Sequence, residues 1–138
     1  MTSRTMTPDR VEETRQHVRH SRQYLDNALD ALAKGEAGKA GELLWGSVAQ
    51  AVHALATSRD RTIGSQRDLK NFAIQVSKES DDASFLEDFA LAESLHQNFY
   101  VVKQEPIDIE VLVPSVRRIL SRVSDFVPPE ALNGTANA

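Results

Sequence analysis

The side chains able to do chemistry in this sequence gather in a few short stretches. In Leu95-His96-Gln97-Asn98-Phe99-Tyr100, His96 and Tyr100 stand four residues apart and share one helical face, while Asn98 points nearly the other way. Polar side chains beside an apolar stripe are costly unless paired or used. The set reads as a ligand site or as an inter-helix hydrogen bond. Trp45, the only tryptophan, lies eight residues before His53 on roughly one broad face. Such a pair can line a pocket or stack on a base; equally, it can be a core anchor beside a half-buried histidine. Arg15, Arg19 and Arg22 follow a helical i, i+4, i+7 stripe in a stretch that also holds His17 and His20 and no acid. A phosphate-contacting stripe has this form, and so does a solvated helix face. Arg59 and Arg61, with Arg67 beyond them, surround a helix start and could favour an anion.

Other chemistries lack their residues. Glu87, Asp88 and Glu93 have no metal-binding partner set. Glu93 and His96 make a single Glu-x-x-His, where a di-metal carboxylate bundle needs two. There is no phosphate-binding glycine loop, no His-Glu-x-x-His and no Gly-x-Ser-x-Gly. The absence of cysteine removes thiolate metal sites, disulfides and a cysteine nucleophile. The expectation is therefore no metal, no cofactor and no catalytic residue of a familiar kind.

The elements that must carry these residues are helical. Thr7-Pro8-Asp9 is a helix start, with a hydroxyl cap, a proline at N1 and an acid at the positive dipole end. Val11, Val18, Leu25 and Leu32 then recur every seven residues as far as Gly35, the predicted left-handed cap. A second helix runs from about Glu36 to Ser58. Its Gly38, Gly41 and Gly46 each cost roughly 1 kcal/mol against alanine, which makes sense if a neighbour packs close to the backbone there. Ser65 caps a third helix bearing Leu69, Phe72, Ala73 and Val76, and Asp82 caps a fourth bearing Phe85, Phe89, Ala92, Leu95 and Phe99. After a turn at 103–106, Leu112, Val116, Ile119, Val123 and Phe126 mark a last helix, with Pro114 admissible only in its first turn and Pro128-Pro129 ending it. No segment alternates with period two for long enough to form a strand. The expected fold is all-α, an antiparallel bundle of four to five helices. Residues 1–7 are expected to be a flexible N-terminus, 8–127 one domain and 128–138 a disordered tail.

Length and composition agree. A chain of 138 residues with 41% hydrophobic and 26% charged residues can bury one core. A net charge of −4 argues against gripping nucleic acid over the whole surface. No apolar run reaches the ~20 residues of a membrane span, and residues 1–10 lack a secretory signal's apolar stretch. Asn133-Gly134-Thr135 matches a glycosylation sequon that has no use without secretion. The expected location is the cytoplasm, with no membrane partner.

Leu43-Leu44-Trp45-Gly46-Ser47-Val48-Ala49-Gln50-Ala51-Val52-His53, then Gly64-Ser65, then Leu95-His96-Gln97-Asn98-Phe99-Tyr100 resemble the PaREP-type branch of the HEPN-like helical bundles, small prokaryotic proteins. The resemblance spans roughly residues 17–126. It implies an antiparallel bundle that commonly forms a homodimer. Across the wider group it implies RNA cleavage, or partnership with a nucleotidyltransferase in toxin–antitoxin and defence systems. The nuclease members carry Arg, four to six residues, then His toward the C-terminal helices. Here no arginine lies between Glu87 and Leu95, and Gln66 stands where a histidine would complete Arg61's spacing. Arg15–His20 and Arg10–His17 fit the spacing only in the first helix. The expectation is a non-catalytic domain that binds a nucleotide, an RNA or a partner protein near His96, Asn98 and Tyr100, with Trp45, His53, Arg59 and Arg61. A metal-independent ribonuclease is the first alternative. A helical-repeat adaptor is the second, suggested by Ala31 to Ala40 joining two amphipathic helices, but no 34-residue repeat follows.

Overall fold

A computed structural model describes residues 6–98 and 104–136, with side chains described to 96 before the break and to 132 at the C-terminal end. Seven helices follow one another in it: α1 (Pro8–Ala33), α2 (Ala37–Ser58), α3 (Gln66–Glu79), α4 (Ala83–Asn98), α5 (Pro106–Glu110), α6 (Val113–Phe126) and α7 (Pro129–Ala136). The described residues contain no strand, and the protein is an all-α helical bundle.

The predicted caps are where the chemistry required them. Thr7 accepts from the Arg10 N–H at 3.2 Å and Ser65 from the Asp68 N–H at 3.1 Å. Gly35 takes a φ of 75°, and the Glu36 N–H reaches back to the Ala31 carbonyl at 2.9 Å, closing α1 and turning the chain into α2. The two helices then run antiparallel. Along α1 from Ser21 to His17 to Arg10, the partners on the other strand of the hairpin advance from Ser47 to Gln50 to Asp60.

α2 is the central helix, touching α1, α3, α4, α5 and α6. Its Leu44, Val48, Val52 and Leu55 are fully buried, against Phe72 and Val76 of α3, Phe85 and Phe89 of α4, and Val116 and Ile119 of α6. Each such side chain contributes about 1.5–3 kcal/mol on leaving water. Two of the three glycines of α2 behave as close packing demands. A Cβ on Gly46 would lie 3.1 Å from the Tyr24 ring, and one on Gly41 would lie 3.3 Å from Cδ1 of buried Ile109. Charged ties join the outer helices: Arg118 of α6 forks onto buried Asp88 of α4 (3.1 and 3.2 Å), and Arg122 reaches Asp82 at 2.9 Å.

Both chain ends differ from expectation where they are described. Met6, assigned to a flexible N-terminus, is buried in the core cluster. Residues 129–136, assigned to a disordered tail, form α7, which packs on α1 with Ala131 fully buried. Pro128-Pro129 does stop α6, but Pro129 sits at the start of a new helix, where its missing N–H costs nothing. Arg15 then secures α7 by donating to the Glu130 carbonyl at 2.7 Å. α5, a five-residue helix, also had no counterpart in the sequence reading.

Candidate functional site

The residues singled out in the sequence separate into two places. Trp45 and His96 meet: their rings stack at 6.2 Å and 26°, with Phe89 edge-on to the indole at 5.6 Å. His96 Nδ1 lies 3.4 Å from Glu42 Oε1. Trp45 is buried and anchors the core, whereas His96 is half-buried at its edge. Asn98 closes α4 with its side chain outside the described set, and Tyr100 lies outside the described residues altogether.

His53 is elsewhere. It stacks on His17 of α1, ring centroids 5.5 Å apart and planes 19° apart. The two imidazoles line a cleft of about 560 Å³ between the N-terminal end of α1, the C-terminal end of α2 and the linker after it. Arg10, Arg61 and Thr57 share the lining with the exposed carboxylates of Asp9, Glu13 and Asp60. The antiparallel hairpin builds this place: Gly35 sets the register, and His17 and His53 face each other across it.

The local chemistry is specific. His17 Nδ1–H donates to Gln50 Oε1 at 2.7 Å, since an amide oxygen can only accept; this turns Nε2 of His17 away from the bond. Burial pushes the His53 pKa below its ordinary value, with the neighbouring His17 adding to the effect, so His53 is neutral near pH 7. The Arg10 side chain is 19% exposed, its Nε has no acceptor, and its carboxylate partner Asp60 is 3.7 Å away, beyond hydrogen-bond length. This guanidinium is under-satisfied for its burial. Asp60 itself sits in the left-handed region (φ 58°), where the Arg61 N–H closes the end of α2 onto the Ala56 carbonyl.

Arg59 and Arg61 both lie over the Phe72 ring, at 5.9 and 5.5 Å. Arg59 pairs with Glu79 at 2.8 Å and Arg61 bonds Gln75 at 3.0 Å, so both clamp the linker to α3, and only Arg61 also lines the cleft. The basic stripe is dispersed as well. Arg15 holds α7, Arg19 pairs with Glu12 at 3.1 Å, and Arg22 borders a separate cleft. In the sequence Arg10 and His17 stand out only as a formal Arg-x6-His spacing, with His17 also inside the basic run, and nothing local marks Gln50.

Fold and cleft together define a small helical-bundle protein with a polar cleft held by its first helical hairpin. A family model, the archaeal PaREP1/PaREP8 family, matches residues 16–120, and the chain belongs to that family. No curated protein and no solved structure gives a match to the chain. No helix among the described residues is long and apolar enough to cross a membrane, and none of their His, Asp and Glu side chains form a group able to hold a metal ion.

Proposed function

We propose that the protein binds a phosphate-bearing ligand, a nucleotide or an RNA, in the α1–α2 cleft. The supporting observation is the half-buried, under-satisfied Arg10 beside two stacked imidazoles. A phosphate oxygen supplies the acceptors such a guanidinium lacks. The acids lining the cleft do not cancel this preference. Asp9, Glu13 and Asp60 are exposed, so water and salt screen them, whereas the charge of Arg10 is sheltered. The Arg10–Asp60 pair, with Asp60 81% exposed, is worth at most about 1 kcal/mol and yields to an entering anion. The test is a calorimetric titration with adenosine 5′-monophosphate and with a short oligoribonucleotide. Saturable binding that Arg10→Gln and His53→Ala both weaken supports the reading; no binding at millimolar ligand ends it.

A second reading, metal-independent RNA cleavage, draws on the Arg10–His17 spacing and on both side chains lining one cleft with a neutral His53. A neutral imidazole can take a proton while a second gives one. Incubation with RNA in EDTA decides it: cleavage lost in His53→Ala supports this role, and intact RNA at high protein concentration removes it. Homodimer assembly and a nucleotidyltransferase partner rest on the family resemblance. Ile107 of α5 and Val111 just after it, 60% and 61% exposed, are a large apolar pair that a second copy would cover. Sedimentation of an Ile107→Lys variant against the parent tests that contact.

A further inference from the structure

A second cleft, of about 240 Å³, opens between α1, α6 and α7. Its floor is apolar, made by Val18, Leu25, Ala51, Leu120, Val123 and Leu132, and α7 supplies the last of these as a wall. Its polar lining among the described residues is made only of donors and hydroxyls: Arg22, Arg117, Ser21, Ser121 and Ser124. Among the described residues no carboxylate lines it, although the chain carries 20 acidic against 16 basic residues. Arg117, Ser121 and Ser124 recur at i, i+4 and i+7, one stripe of α6. Among the described residues these three side chains have no hydrogen-bond or ion-pair partner, while Ser21 is committed to Ser47.

We propose that this cleft binds a small amphipathic carboxylate, its apolar body on the floor and its head group on Arg117 and the two serines. The chemistry selects the class. A guanidinium fork matches a carboxylate bidentately, and flanking hydroxyls donate to its remaining lone pairs. The volume sets the size: at about 30 Å³ per water it corresponds to roughly eight waters, below the usual range for drug-sized ligands. That accommodates a body of about ten non-hydrogen atoms and is small for a nucleotide. The site is independent of the α1–α2 cleft, since the two share no lining residue.

The probes are octanoate, octylammonium and inorganic phosphate, titrated at sub-millimolar to millimolar concentration into the full chain while amide ¹H–¹⁵N shifts are recorded. Octanoate should bind saturably, with shifts concentrated at Val18, Ala51, Leu120 and Val123. Arg117→Gln, at an exposed position that leaves the core untouched, should weaken octanoate about tenfold or more, as loss of a charge-assisted bond does. It should leave nucleotide binding in the other cleft unchanged, so the two proposals fail separately. Leu120→Trp, which fills the floor, should abolish octanoate shifts there. Octylammonium binding as tightly as octanoate would overturn the proposal by showing the charge to be irrelevant. Phosphate alone binding as tightly would overturn it by showing the floor to be irrelevant. Octanoate shifts centred on the exposed Leu91, Ile107 and Val111 would reveal indiscriminate apolar association and overturn it too.

Discussion

The register of α1 against α2 depends on a reciprocal pair of serines, and replacing them tests the account of both fold and cleft. Ser21 Oγ donates to the Ser47 carbonyl at 2.7 Å, and Ser47 Oγ returns a bond to the Ser21 carbonyl at 2.8 Å. Both residues are buried, Ser47 completely. A carbonyl inside a helix already accepts from the N–H four residues on. Deleting a hydroxyl therefore leaves no orphan acceptor, and the loss is one net hydrogen bond, about 1 kcal/mol. Alanine's better helix propensity returns up to ~0.5 kcal/mol. Ser21→Ala and Ser47→Ala should each cost roughly 0.5–1 kcal/mol, and the double variant about the sum, because the hydroxyls' mutual contact is a loose 3.3 Å. Ser47→Val differs in kind: its added methyl has no room, and overpacking costs about 1–3 kcal/mol. By prying α1 away it should also separate His17 from His53 and let the His53 pKa climb back. Urea unfolding measures the energies and imidazole ¹H shifts against pH measure the second effect. The reasoning fails if Ser47→Val is milder than Ser47→Ala, or if neither alanine variant loses stability.

Three further outcomes are expected. Because burial lowers the His53 pKa, the unfolded chain binds more protons than the folded one between that lowered value and 6.5. Stability should therefore rise with pH through that window and be lost on acidification, and His53→Gln should flatten the profile of urea midpoints taken from about pH 5 to about pH 8. Arg118→Gln strips the buried Asp88 of both guanidinium bonds, whereas Asp88→Asn leaves behind an arginine that is 54% exposed; the arginine variant should show the larger drop in urea midpoint. Ending the chain after Val127 removes Ala131, the Leu132 wall and the Arg15–Glu130 bond, which together should cost roughly 2 kcal/mol in thermal or urea unfolding.

The helices were legible because their signals are local. Thr7-Pro8-Asp9, Gly35, Ser65 and Asp82 each satisfy or release backbone groups within one turn, and the apolar stripes need only a period. Gly46 and Gly41 were legible as close approaches, though what approaches them, Tyr24 and Ile109, was not. Pro128-Pro129 misled because one residue type serves two ends: it breaks a helix behind it and starts one ahead. Nothing local distinguishes those uses; burial of Ala131 against α1 does, and that is a tertiary fact.

The candidate site was less legible because grouping by helix face is the wrong operation for residues on two helices. Trp45 and His53 were joined for lying on one broad face of α2, yet along that helix they stand some 12 Å apart at 1.5 Å per residue. Each instead meets a ring from another helix, His96 for the first and His17 for the second. The information needed for the second pairing was in the sequence. Once Gly35 is accepted as the turn of an antiparallel hairpin, a residue some eighteen before it faces one some eighteen after it, and His17 and His53 are such a pair. The same folding-over brings Arg10 to the end of α2 beside Asp60 and Arg61. A short-turned helical hairpin thus fixes its cross-helix neighbours as firmly as a β-hairpin fixes its register, and titratable residues are better compared across the turn than along one face.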